Sequence, residues 1–121
     1  MAGETPIEIQ VSIEVGDAGR GVRVTVAGEV DIATSPQLRD ACLRAVNEGA
    51  GDVHLDLAGV TFLDSSGISV LVQAQQRLVA LGRGFELRTV SRPARRVLEI
   101  AGLGPAFGLA ADSPPGTPPL A

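Results

Sequence analysis

The sequence has no lysine, tryptophan or tyrosine, and only one cysteine, one histidine and three phenylalanines in 121 residues. Each scarcity closes off a class of chemistry. Without lysine there is no Walker-type phosphate loop, no kinase-type lysine and no Schiff-base nucleophile. A lone histidine and a lone cysteine do not assemble a clustered zinc site, and one thiol cannot close an internal disulfide. So few aromatics leave no platform for stacking single-stranded bases. The net charge of −4 works against contact with duplex phosphates. No apolar run has membrane-spanning length and no leader-like segment is read at the start. The expectation is a cytoplasmic protein that is not an enzyme and has no cofactor, no membrane span and no direct nucleic-acid contact.

What is present suits a small globular domain. The chain is 45% hydrophobic and 20% charged, and its length fits one domain that buries roughly two-thirds of its unfolded surface. The core must come from Val, Leu, Ile and Ala. Residues 1–110 are read as this domain. Residues 111–121, which contain Pro114-Pro115 and Pro118-Pro119, are read as a disordered proline-rich tail.

Strict alternation from Ile7 through Ile9, Val11 and Ile13 to Val15 predicts a strand with one buried face. The Gly16–Gly21 loop and a second alternating run at Val22, Val24 and Val26 predict an antiparallel hairpin. Gly28-Glu29-Val30-Asp31 closes that strand. Thr34-Ser35-Pro36 opens a helix as a cap followed by proline, with Leu38, Ala41, Cys42, Ala45 and Val46 as its inward stripe. A strand over 53–57 follows, then a helix over about 66–81 with Ile68, Leu71, Val72, Gln75, Leu78 and Val79 on one side and Gly82 as the stop. A strand over 85–89 and a short helix over about 93–101, with Val97 and Ile100 or Ala101 inward, complete the domain. The order β-β-α-β-α-β-α is an α/β arrangement. It implies a small mixed four-stranded sheet, with helices packed mainly on one face because the first two strands alternate so cleanly.

The junction Phe62-Leu63-Asp64-Ser65-Ser66-Gly67-Ile68 is where chemistry would sit. Asp64, Ser65 and Ser66 are all good helix caps, yet one cap is enough, which leaves hydroxyls spare. A hydrolase nucleophile elbow at Ser65 would need glycine at position 63, where the chain has leucine, and a histidine after the serine, whereas His54 precedes it. Both departures argue against hydrolysis. His54 reads as a polar residue on a half-exposed strand, Cys42 as a buried small hydrophobe, and Arg92, Arg95 and Arg96 as the wet side of a short helix.

The Phe62–Ile68 run, preceded by Leu55-Asp56-Leu57, resembles the anti-sigma factor antagonists of the STAS domain family. Gly28-Glu29-Val30-Asp31 is similar to that family's Gly-Glu-Leu-Asp turn, at the expected distance upstream, and the resemblance spans about Ile7 to Leu109. It implies a STAS-like fold and a partner-switching role. In that role the protein binds an anti-sigma factor with serine kinase activity, frees a sigma factor, and is switched off by phosphorylation. The first serine of Asp-Ser-Ser-Gly maps to Ser65, and a serine phosphatase would reverse the change. Partner contacts are expected at Glu29, Asp31, Thr34, Asp64, Ser66, Gly67 and Ser69. Ser69 departs from the family, which often has glycine there. A monomer is expected. Two other roles fit the same fold: a non-phosphorylated STAS adaptor of a stress-sensing or lipid-transport assembly, and a module that senses a small molecule or nucleotide at the helix N-terminus.

Overall fold

Alternation in the first hairpin sets the sheet, and the rest of the chain builds onto it. The structure is a computed structural model that describes residues 9–16 and 20–109. Strand β1 (Gln10–Val15) pairs antiparallel with β2 (Arg20–Val30). Helix α1 (Ser35–Glu48) then carries the chain to β3 (Ala50–Leu63), which lies parallel to β2. Helix α2 (Ser65–Ala80) leads in the same way to β4 (Phe85–Val90), parallel to β3. Helix α3 (Arg92–Ile100) and a 3₁₀ turn at Pro105–Phe107 follow. The sheet order is β1-β2-β3-β4, the mixed four-stranded sheet read from the sequence.

One face of the sheet is apolar and covered. Val22, Val24 and Val26 of β2, Val53, Leu55 and Leu57 of β3, and Phe85 and Leu87 of β4 are buried against the helices. The alternate positions Arg23, Thr25, His54, Asp56, Glu86 and Arg88 stay at least partly in water and form a charge ladder. There Glu86 accepts from Arg88 at 2.8 Å and Arg23 lies 3.9 Å from Asp56. Period-two patterning thus places the helices on one side. Phe107 of the 3₁₀ turn closes the core edge-to-face on Phe85, with ring centroids 5.9 Å apart.

Several boundaries and faces differ from the sequence reading. Ile7 and residues 17–19 of the Gly16–Gly21 loop lie outside the described residues, as does the 111–121 tail; β1 is described from Gln10. Val15, expected inward, is exposed at the end of the edge strand β1. Strand β3 runs on to Leu63 rather than stopping at 57. Its second half pairs with Ala27–Val30 through register shifts. In α2 the inward residues are Gly67, Val70, Leu71, Ala74 and Leu78, while Val79 is 65% exposed. In α3 Ala94 and Leu98 point in and Ile100 points out. Gly82, at φ 71°, ends α2 as expected: Arg83 N donates to Leu78 O and Gly82 N to Val79 O.

Candidate functional site

Because β2 and β3 are parallel, their C-terminal ends emerge together, and both sequence motifs sit there. Val30 pairs with Leu63, Glu29 with Phe62, and Asp64 N donates to Val30 O at 3.2 Å. The two motifs are therefore joined by backbone, as expected for sites at the carboxyl end of a parallel sheet.

The first motif is held by its own threonine. Thr34 Oγ1 donates to Glu29 O at 2.7 Å and accepts from Asp31 N at 2.9 Å. Asp31 Oδ1 accepts from Ala33 N and Thr34 N at 2.9 and 3.1 Å. Thr34 stands at the N-cap position of α1, one residue earlier than a cap directly before Pro36 would be, and its side chain makes no cap bond to the helix. It is 0% exposed, so its hydroxyl fixes the turn instead of meeting a partner.

The second motif sorts its three cap-type residues into separate jobs. Asp64 is the N-cap: its Oδ1 accepts from Ser66 N at 2.9 Å and from Ser66 Oγ at 2.5 Å. Ser66 is thus committed to Asp64. These bonds, with the Ser66 hydroxyl first, lower the Asp64 pKa from the usual aspartate value. Ser65, the first residue of α2, is exposed, and its hydroxyl has no hydrogen-bond partner among the described residues. Gly67 is buried: a Cβ there would stand 2.6 Å from both Leu63 Cδ1 and Val30 Cγ1. It lets the first turn of α2 lie directly on the two strand ends and is not itself a contact surface. Ser69, one turn on, is exposed and accepts from Gln73 Nε2 at 3.3 Å.

The end of the sheet that carries Ser65 is acidic with an apolar margin. Glu29, Asp31 and Asp64 supply the charge. Ile32, 81% exposed in the first motif's turn, and Phe62, 46% exposed beside Glu29, supply the apolar part. The sequence reading did not assign Ile32 or Phe62. The available signal was a large apolar residue next to a motif carboxylate, at a position that breaks the strand alternation. Among the described residues, no group of His, Cys, Asp and Glu could hold a metal ion, and no helix is long and apolar enough to cross a membrane.

The low Asp64 pKa carries a pH signature. A carboxylate whose folded pKa is lowered stabilises the fold above its unfolded value of about 3.9, and that contribution fades as pH falls through the lower folded value. Asp64→Asn should reduce stability at pH 7 by about 0.3–1 kcal/mol, the usual range for a charge at an exposed helix N-terminus. The gap should close as pH drops below about 4. Urea melts of both proteins across pH 2–7 would check this, and a gap that stays constant with pH would contradict it.

A mixed sheet with helices on one face, and two motifs meeting at the end of its parallel strands, define a STAS-type domain. The family profile described as "Mlab, STAS domain" matches residues 13–109, and the chain belongs to the STAS domain family. It is similar to the anti-sigma-B factor antagonist of Bacillus subtilis (strain 168), 27% identical over 105 residues that cover 87% of this chain and 95% of that one. Among solved structures it is similar to an anti-sigma factor antagonist from Mycobacterium paratuberculosis, with a TM-score of 0.76, 30% identity and 87% of each chain covered. It is also similar to the anti-sigma factor antagonist SpoIIAA in its unphosphorylated form, with a TM-score of 0.69, 25% identity, and 85% of this chain and 90% of that one covered.

Proposed function

We propose that this STAS domain is an anti-sigma factor antagonist: it docks on an anti-sigma factor through the acidic end of its sheet and is released when Ser65 is phosphorylated. One observation carries the reading. Of the cap-type residues at the junction, Asp64 and Ser66 bond each other, and Ser65 alone is exposed with a hydroxyl that has no hydrogen-bond partner among the described residues. Its relatives' role supports the same reading.

The chemistry follows from position. Ser65 Oγ attacks the γ-phosphorus of ATP in the partner's kinase site; the Oγ–P bond forms, the bridging P–O bond breaks, ADP leaves, and the hydroxyl proton passes to a base or water. The product adds about −1.5 to −2 charge at the first residue of α2, where the helix dipole and free N–H groups favour an anion. The fold therefore accepts the group, while Glu29, Asp31 and Asp64 beside it make the docking face strongly negative. A serine phosphatase resets the switch. The setting is the cytoplasm, where sigma factors act. Glu29, Asp31, Asp64 and Ser69, with Ile32 and Phe62, form the contact surface, and Thr34, Ser66 and Gly67 hold it in shape.

Intact-mass measurement and site mapping after incubation with ATP and the anti-sigma factors of the same genome test the reading. The expected result is one added phosphate that is lost in Ser65→Ala and kept in Ser66→Ala. Tight binding with no phosphate from any of these kinases would instead assign a constitutive adaptor role.

A further inference from the structure

On the outer side of the helical layer, starting one residue beyond Ser69, α1 and α2 leave a groove of about 160 Å³ between them. Helix α1 contributes Arg39, Cys42, Leu43 and Val46, and α2 contributes Val70, Gln73, Ala74 and Arg77. Both quartets fall at i, i+3, i+4 and i+7, which is one continuous stripe on each helix. The floor is apolar: Cys42, Val46, Val70 and Ala74 are buried, and Leu43 forms an exposed apolar rim. The Cys42 thiol there, with burial pushing its pKa up to about 12, acts as a small hydrophobe.

The charges at the groove are the informative part. In a chain with net charge −4, Arg23, Arg44, Arg88 and Arg95 each reach a carboxylate. Arg39 and Arg77, like Arg92 and Arg96 on α3, have no hydrogen bond or ion pair among the described residues, and Arg39 and Arg77 are the two that line the groove. The two helices run in the same direction, since each returns the chain between parallel strands. Arg39 lies early in α1 and Arg77 late in α2, so the two cations sit towards opposite ends, roughly two helical turns or about 10 Å apart.

We propose that the α1/α2 groove is a second docking site, which takes an amphipathic helix from a protein partner. That helix carries an apolar stripe and an acidic residue near each end, two turns apart, to meet Arg39 and Arg77. An apolar floor between two helices is the geometry that receives a third helix through i, i+3, i+4 and i+7 anchors. The two guanidiniums supply the complementary charge that sets its register. The groove is smaller than the roughly 300–1,000 Å³ of pockets that enclose a small molecule. A second copy of the chain is disfavoured too, because a two-fold contact through this face would set arginines against arginines.

The test uses the full chain, ¹⁵N-labelled, and a synthetic 18-residue helical peptide with leucines at i, i+3, i+4 and i+7 and, beside that stripe, two glutamates seven residues apart. Saturable amide shifts confined to residues 39–46 and 70–77 are expected. The Arg39→Glu/Arg77→Glu variant, altered only at solvent-facing positions, should bind at least about tenfold more weakly. It should regain affinity for the same peptide carrying lysines in place of the glutamates. Ser65→Asp should leave this binding unchanged, so failure of the groove and failure of the Ser65 switch are read separately. Shifts spread over the surface, or shifts insensitive to charge reversal, would overturn the proposal. So would displacement of the peptide by laurate, which would assign a small amphiphile, or dimerisation of the free protein that the double variant abolishes.

Discussion

Ser65→Asp is expected to weaken binding to the anti-sigma partner by at least about 100-fold, roughly 2.8 kcal/mol, while Ser65→Ala binds within a few-fold of wild type. The asymmetry follows from the geometry. The Ser65 hydroxyl has no internal partner among the described residues, so removing it breaks no bond of the fold. Adding charge there places it beside Asp64 on a face that already holds Glu29 and Asp31, so docking would have to bury a further anion against the existing ones, and their mutual repulsion opposes it. Because the repulsion is between exposed charges, raising the salt from about 0.05 to 0.5 M should recover part of the lost affinity of the aspartate variant. Calorimetric titration against the purified kinase-type anti-sigma factor reads all three proteins. Equal affinity of Ser65→Asp and wild type would remove Ser65 from the docking face.

The same variant should hardly move the melting temperature. The charge sits at the positive end of α2, and Asp64 and Ser66 keep their own bonds, so a change well under about 1 kcal/mol, or under about 5 °C, is expected. Docking and stability are separable here because the turn is over-determined from behind. Thr34 ties Glu29 O to Asp31 N, and Asp64 N is tied to Val30 O, all without using Ser65. On the proposed reading, a partner would meet a surface braced from behind by these bonds and open to change at one hydroxyl. A substituent at Ser65 breaks none of these bonds, so the proposed switch would act locally.

The same division explains what could be read in the sequence. Element order, the parallel pairing of the last three strands and the meeting of the two motifs follow from alternation and chain direction, which are local signals. The second half of β3 does not: Val60 and Leu63 are three residues apart, both buried, and the register shifts at Ala27–Glu29 hide the period of two. In α2 apolar residues lie nearly all round, so periodicity alone could not choose a face. The face is chosen by Gly67, the one residue small enough to lie against Val30 and Leu63, and this turns Val70, Ala74 and Leu78 inward and Val79 out. Three cap-type residues in a row were equally ambiguous. Only the Ser66–Asp64 bonds single out Ser65 as the spare hydroxyl. Thr34 read as a contact residue because its burial depends on a turn that sequence spacing does not reveal.

Gly67 therefore carries the second large effect. Alanine there should gain about 0.5–1 kcal/mol of helix propensity and lose about 1–3 kcal/mol to overpacking, since its Cβ would stand 2.6 Å from two buried side chains. A net destabilisation of about 1–2 kcal/mol by urea denaturation is expected. Trimming one of the two neighbours separates this close approach from a general intolerance of the site. Val30→Ala alone should destabilise by leaving a cavity, but Gly67→Ala/Val30→Ala should be more stable than the two single effects summed, by about 1 kcal/mol or more, because the new methyl fills the space that valine vacates. Strict additivity would mean that Gly67 is not held against Val30, and the account of how α2 is seated would fail with it. The seating also fixes where Ser65 stands. The single variant, which lifts the first turn off the strand ends, should lose partner affinity as well as stability, and the double variant should recover both together.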